Sequence, residues 1–194
     1  METRQVFKYY NFNNNFNSYN FCPKCGASLS NESVSGRKRG FCKTCSYIHY
    51  INPIPAVVTI ILNKQKNNFL LARRSKTSFQ PDKWCLPGGF IEYDENFLEA
   101  GKREIKEETN LDIEITGILN ATSNFFNPQL HSIVLTLLGV SNHMDCIPND
   151  DVVELRWFKL DDTLPVLAFK ADEFIINRYK NNPGLFLPVD ERFA

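Results

Sequence analysis

The most apolar stretch of the chain is "AVVTIIL" at residues 56–62, a continuous run rich in β-branched side chains, followed by the polar "NKQKNN" and then by "FLLARRS". Two apolar runs of strand length around a polar turn predict a hairpin. "LDIEITGIL", "SIVLTLLGV" and "VVELRWF" are further strand candidates. Between Asp94 and Asn110 the period becomes helical, with Phe97, Leu98, Gly101 and Ile105 on one side and Asp94 as the expected N-cap. A last helix is predicted at "ADEFIINRYK", stopped by Pro183 and Gly184. Residues 1–20, rich in Asn and aromatics, show no sustained period. They read either as a disordered lead-in or as an irregular packing segment.

Composition narrows the organisation. A chain of 194 residues holds one full core and a small appendage. In "INPIP", Pro53 and Pro55 force an extended entry into the apolar run beyond, so the predicted parts are a lead-in at 1–20, a cysteine-marked module at 21–51 and a larger domain at 52–194. Lys plus Arg (22) balances Asp plus Glu (22), which excludes a global field drawing the protein to nucleic acid or an anionic membrane. No stretch approaches ~18 consecutive apolar residues, and the first residues lack a signal-peptide pattern. The expectation is a soluble, cytoplasmic protein without a membrane partner.

Four of the six cysteines form two Cys-x-x-Cys pairs, Cys22 with Cys25 and Cys42 with Cys45. Two such knuckles complete the tetrahedron that zinc prefers, and a module of about thirty residues needs that energy to fold. Redox activity and buried free thiols are the competing readings; the doubled pair favours structural Zn²⁺, and four thiolates leave no position open for catalysis. Cys85 and Cys146 read as packed thiols. Between the knuckles Arg37, Lys38 and Arg39 could touch phosphates beside Phe41, but so few cations on a neutral chain favour a solvated hairpin tip, and nucleic acid is not the expected partner.

The acidic residues are less evenly spread. "GGFIEYDENFLEAGKREIKEETNL", residues 88–111, sets Gly89, Glu95, Arg103, Glu104, Ile105, Glu107, Glu108, Asn110 and Leu111 at particular spacings. At about 100° per residue Glu104, Glu107 and Glu108 lie within ~100° on one helix face. Carboxylates so close repel and raise one another's pKa, whereas Mg²⁺ or Mn²⁺, which choose oxygen ligands, convert repulsion into coordination. Arg103 can fork onto Glu95 and hold loop and helix in register. Asn110, tolerant of the left-handed conformation, ends the helix.

This spacing resembles the Nudix box, G-x5-E-x7-R-E-U-x-E-E-x-G-U with U apolar, departing from it only at Asn110. With the preceding cysteine ribbon, "HYINPIPAVV", "LLARRS" and "WCLPGGF", the chain is similar to zinc-ribbon Nudix hydrolases over residues 21 to about 169. The resemblance implies an α/β/α sandwich around a mixed sheet. It implies pyrophosphate hydrolysis with Mg²⁺ or Mn²⁺ held by Glu104, Glu107, Glu108 and the Gly88 carbonyl, with Arg103 and Glu95 in support. Asp150, Asp151 and Glu154 are later candidates for the general base. Arg73 and Arg74 are phosphate-contact candidates, only one of which an alternating strand points inward. Phe125 and Phe126 in "SNFFNPQLHS" could sandwich an adenine, although buried sheet-edge aromatics are the commoner case, and with Ser123 and Pro128 they echo the family's NADH motif without matching it. The expected substrate is an ADP-containing dinucleotide or ADP-sugar, namely ADP-ribose, FAD or NADH, with a capped RNA end left open beside them. A ligand sensor or nucleic-acid binder that has lost hydrolysis is the alternative, which the intact glutamates oppose. A homodimer is compatible with the sequence.

Overall fold

The structure, a computed structural model, describes residues 4–11, 19–190 and 192. The lead-in is irregular but packed where it is described: β1 (Val6–Lys8) runs parallel to a later strand and Phe7 is buried. The expectation for residues 12–18 lies outside the described residues. The cysteine module comes next as β2 (Leu29–Val34), β3 (Arg37–Cys42) and β4 (Ile48–His49), a separate antiparallel sheet in that order.

The predicted hairpin is β5 (Ile54–Asn63) and β6 (Asn68–Arg74), paired antiparallel. Then come β7 (Trp84–Cys85), α1 (Phe97–Thr109), β8 (Ile113–Asn127), β9 (Leu130–Ser141), β10 (Val152–Lys159), α2 (Lys170–Asn181) and β11 (Leu187–Pro188). Among the described residues they build an eight-stranded mixed sheet of order β1-β8-β9-β5-β6-β10, with β7 beside β6 and β11 beside β8. The unbroken apolar run of β5 is explained by burial on both faces. Val57 packs with Leu98 and Ala100 of α1, while Ile60 and Leu62 share a cluster with Ile175 and Ile176 of α2. The expected α/β/α sandwich is present. No helix among the described residues is long and apolar enough to cross a membrane.

Two sequence expectations change. Strand β8 runs well past "LDIEITGIL" into the "SNFF" stretch, with register shifts on the way. The N-cap of α1 is Asn96, not Asp94. Asn96 accepts from the Leu98 and Glu99 N–H groups, and the Glu99 carboxylate accepts from the Asn96 N–H, a capping box. Asp94 is too early because Glu95, next in line, is committed to the loop, where it accepts from the Glu92 N–H at 2.9 Å. Asn110 closes the helix as expected, at φ 59°.

Candidate active site

Arg103 organises the front of α1. Its Nε and Nη2 fork onto the Glu95 carboxylate at 2.9 and 2.6 Å, Nη1 donates to Glu104 at 2.8 Å and Glu107 at 3.0 Å, and Nη2 also reaches the Phe90 carbonyl at 3.0 Å. The Arg103 guanidinium depresses the Glu95 pKa, and Glu95 in turn raises that of Arg103. Loop and helix are thereby fixed in register.

One turn on, Glu108 is buried and accepts from the Gly88 N–H at 2.9 Å. Burial pushes its carboxyl up to about 8; the Gly88 hydrogen bond opposes this, and the Asp151 and Glu104 charges add to it. Glu104 is also raised, first by burial, against the pull of Arg103. The glycine pair makes room for this crowding. A Cβ at Gly89 would fall 2.5 Å from the Glu104 carboxyl, and one at Gly88, whose φ is +142°, would meet the Val57 carbonyl at 2.2 Å. The Pro87 and Gly89 carbonyls accept from the Thr59 and Val57 N–H groups, with Gly88 between them at the cavity wall.

That cavity, of about 350 Å³, has Glu104, Glu108, Asp150 and Asp151 among its lining residues. Phe79, Phe126 and Phe169 supply aromatic surface, and Thr122, Asn124, Ser132 and Thr136 of β8 and β9 a polar floor. Glu107, of the same helix face, is half exposed and is not among the lining residues. Strand alternation separates two pairs of candidates. Arg74 lines the cavity, donating to Asp151 at 3.1 Å with its guanidinium 5.7 Å from the Phe169 ring centroid. Arg73 is turned away, to Glu154 at 2.8 Å and Asp82 at 3.4 Å. Phe126 lines the cavity, stacked on Tyr9 at 5.0 Å, while Phe125 packs on His131 at 4.7 Å. Glu154 is thus outside the cavity and tied to Arg73, which removes it as a general-base candidate. Asp150 and Asp151 remain, the latter also accepting from Ser78 at 2.9 Å.

Asp172 of α2 was missed. It is buried at the cavity, accepts from the Leu86 N–H at 3.0 Å, and is pushed up to about 7 by burial, with that hydrogen bond opposing. In the sequence it is indistinguishable from the acidic residues that commonly open a helix. Phe79 and Phe169 lie in loops with no period and gave no signal.

In the ribbon the sulfurs of Cys22, Cys25, Cys42 and Cys45 all lie within 4.8 Å of one another, with Cys22 to Cys45 at 3.6 Å and Cys25 to Cys42 at 3.5 Å. A tetrahedron with metal–sulfur bonds of about 2.3 Å has sulfur edges of ~3.8 Å, so the cage fits a zinc-sized ion. The Cys45 N–H, first, holds the Cys42 thiol down at about 6, whereas Cys25 and Cys45 are raised, against the pull of the Ala27 and Tyr47 N–H groups, by burial and by hydrogen bonds from their crowded neighbours; without a cation the four thiols share protons among themselves. The knuckles are equivalent: the Gly26 and Ser46 N–H groups donate to the Cys22 and Cys42 carbonyls. Cys85 is buried and its thiol raised by burial, as a packed thiol should be; Cys146 is part-buried. Arg37, Lys38 and Arg39 open β3 directly after the hairpin turn, with Arg37 and Lys38 exposed as a solvated tip requires; alternation divides the three between two faces, and Arg39 stacks on Tyr50 at 4.5 Å.

A family model described as "NUDIX domain" matches residues 52–178, and one described as "Nudix N-terminal", a zinc ribbon, matches residues 20–51. The chain is 36% identical over 140 residues to an ADP-ribose pyrophosphatase of Methanocaldococcus jannaschii, covering 70% of this chain and 79% of that protein. It is 26% identical over 164 residues to an NAD-capped RNA hydrolase NudC of Stutzerimonas stutzeri, covering 83% of this chain but only 56% of that protein. A solved NUDIX hydrolase from Nitrosomonas europaea superposes with a TM-score of 0.76 at 26% identity, over 88% of this chain and 97% of the other. With Gly88, Gly89, Glu104 and Glu108 lining one cavity, Arg103 and Glu95 bracing the carboxylates, and a four-cysteine cage ahead of them, the chain belongs to the NUDIX family of hydrolases, its NUDIX domain preceded by the family's zinc ribbon.

Proposed function

We propose that this protein is a divalent-metal-dependent pyrophosphatase acting on an ADP-containing dinucleotide or ADP-sugar such as ADP-ribose, FAD or NADH, and giving two monophosphates. The observation that carries the reading is that one cavity joins the Glu104 and Glu108 carboxylates to the aromatic surface of Phe79, Phe126 and Phe169. A diphosphate needs the first and a base the second. The relatives named for ADP-ribose and NAD-capped RNA share the adenosine diphosphate unit, which supports that choice.

Two crowded carboxylates whose charging is opposed by burial fit a hard cation better than they fit an empty site. Glu104, Glu108 and the Gly88 carbonyl, with Glu107 at the rim, would hold Mg²⁺ or Mn²⁺; when bound, such an ion neutralises the diphosphate and acidifies water. Arg103 and Glu95 keep the carboxylates in place. Arg74 binds phosphate oxygens, its partner Asp151 fixing its direction. Asp150, which lines the same cavity as Glu104, would take a proton from the attacking water.

In the same reading the chain divides into a lead-in, a zinc ribbon at 21–51 and a hydrolase domain at 52–194, supported by the two family matches. Zn²⁺ in the ribbon is structural, since all four positions are thiolates. A cytoplasmic location fits, because such a site needs reduced cysteines. The test is a panel of ADP-ribose, FAD, NADH, diadenosine polyphosphates and NAD-capped RNA with Mg²⁺ or Mn²⁺. At least one ADP-containing compound should be cleaved to monophosphates with metal and left intact in EDTA; cleavage of none would overturn the reading.

A further inference from the structure

The cavity floor holds two polar side chains to which the metal and phosphate chemistry assigns no task. Asn124 and Ser132 face each other across the β8–β9 pairing and are 2% and 4% exposed. Both line the cavity, yet among the described residues the Asn124 Oδ1 and the Ser132 Oγ have no hydrogen-bond partner. Buried acceptors left unmade are costly, and in a binding cavity that cost is removed when a ligand supplies the missing donor.

The orientation of the Asn124 amide is set by its neighbour. The Thr122 hydroxyl donates to the Val134 carbonyl at 3.5 Å, so its oxygen can only accept, and it accepts from the Asn124 Nδ2 at 3.3 Å. The amide is therefore held with its oxygen as the free group, a fixed acceptor. Ser132, with a rotating hydroxyl, can donate or accept beside it.

Position says which part of a ligand arrives there. Gly88 lies against Val57 and Val58, and Val58 pairs with Thr136. Ser132 is four residues along β9 from Thr136, ~13 Å at about 3.3 Å per residue. That is the reach from a diphosphate at the carboxylates to the base attached to it. Phe126, two residues beyond Asn124, lines the same cavity with Phe79 and Phe169, 5.5 and 5.4 Å from it between ring centroids, and the cluster supplies aromatic surface for a base.

We propose that Asn124 and Ser132 read the edge of the substrate's base, Asn124 Oδ1 accepting from the 6-amino group of an adenine and Ser132 Oγ donating to the adjacent ring nitrogen. This rests on the reading above that the substrate contains ADP. A 6-oxo purine would set oxygen against oxygen at Asn124, so the pair selects adenine over hypoxanthine.

The experiment compares ADP-ribose with inosine diphosphate ribose, by steady-state hydrolysis with Mg²⁺ and by calorimetric binding in EDTA, for the native protein, Asn124→Leu and Ser132→Ala. The native protein should prefer ADP-ribose by about ten- to a hundredfold in both kcat/KM and Kd. Asn124→Leu should cut that preference to about threefold or less, the loss for ADP-ribose falling on KM, and Ser132→Ala should weaken it in part. Asn124→Leu should melt no lower than the native protein, because it removes an orphaned buried acceptor, whereas a purely structural Asn124 would lower the melting temperature. If Asn124→Leu does not fold, Asn124→Ser carries the same comparison. Hydrolysis of ADP-ribose with equal use of the inosine compound, or a preference that survives substitution at Asn124, would overturn the inference alone. Failure to bind or cleave any ADP-containing compound would overturn the functional reading and the inference with it.

Discussion

Glu108 is a carboxylate that the folded protein holds where its charge is disfavoured, against Asp151 and Glu104 and out of water. Gln at this position keeps the shape and the contact with the Gly88 N–H while removing the charge. Glu108→Gln should lower turnover by about a hundredfold or more, the loss of a transition-state electrostatic contact. Its melting temperature without metal should be no lower than the native one, read by calorimetry in EDTA. Asp172 gives a pH signature of its own. Its pKa is raised from 3.8 to about 7 by burial, so between those values the folded state holds more protons than the unfolded chain, and stability falls as pH rises. Asp172→Asn keeps an acceptor for the Leu86 N–H and carries no charge. The variant should match the native protein near pH 4 and melt several degrees higher at pH 8; equal melting curves at both pH values would show that burial does not shift this group.

Helix α1 was legible because its motif and its period agree. The Arg103 to Glu95 fork can be read from spacing, since a loop carboxylate eight positions back is within guanidinium reach once the intervening residues turn. The cap was misplaced because Asp94 and Asn96 are equally good by type, and only the commitment of Glu95 to the loop decides between them. Strand β1 was not legible: three residues have no period, and they are ordered by pairing with the edge of β8 and by burial of Phe7. The cavity floor was hidden for a related reason, because Asn124 and Ser132 look like ordinary polar positions until pairing sets them opposite each other. Half of each candidate pair, Arg74 rather than Arg73 and Phe126 rather than Phe125, is a choice of strand face that depends on where β6 and β8 sit in the sheet. In the ribbon, the small sheet of β2, β3 and β4 has little apolar surface of its own, so the cage should carry its stability. Cys42→Ser should abolish the one zinc per chain found by metal analysis and melt the ribbon, while the NUDIX domain keeps its cooperative unfolding. A full complement of zinc in that variant would rule out the four-thiolate cage.

A neutral molecule whose ribbon cations are divided between two faces has no concentrated field to offer a polyanion. Any binding of RNA should therefore be weak and steeply salt-dependent, and replacing Arg37, Lys38 and Arg39 together by Ala should change hydrolysis of ADP-ribose by less than about twofold. Tight, salt-resistant RNA binding that survives the triple substitution would assign the molecule a nucleic-acid surface elsewhere. What the molecule does concentrate is carboxylate and aromatic surface in one cavity, over a polar floor supplied by β8 and β9. Hydrolysis of ADP-ribose in ¹⁸O-labelled water, with Mg²⁺ or Mn²⁺ and with excess EDTA, interrogates that arrangement most directly. AMP and ribose 5-phosphate should form only with metal, with the label on one of the two phosphates, and Glu108→Gln should yield about a hundredfold less of both. Product formed undiminished in EDTA, or Glu108→Gln turning over like the native protein, would contradict it.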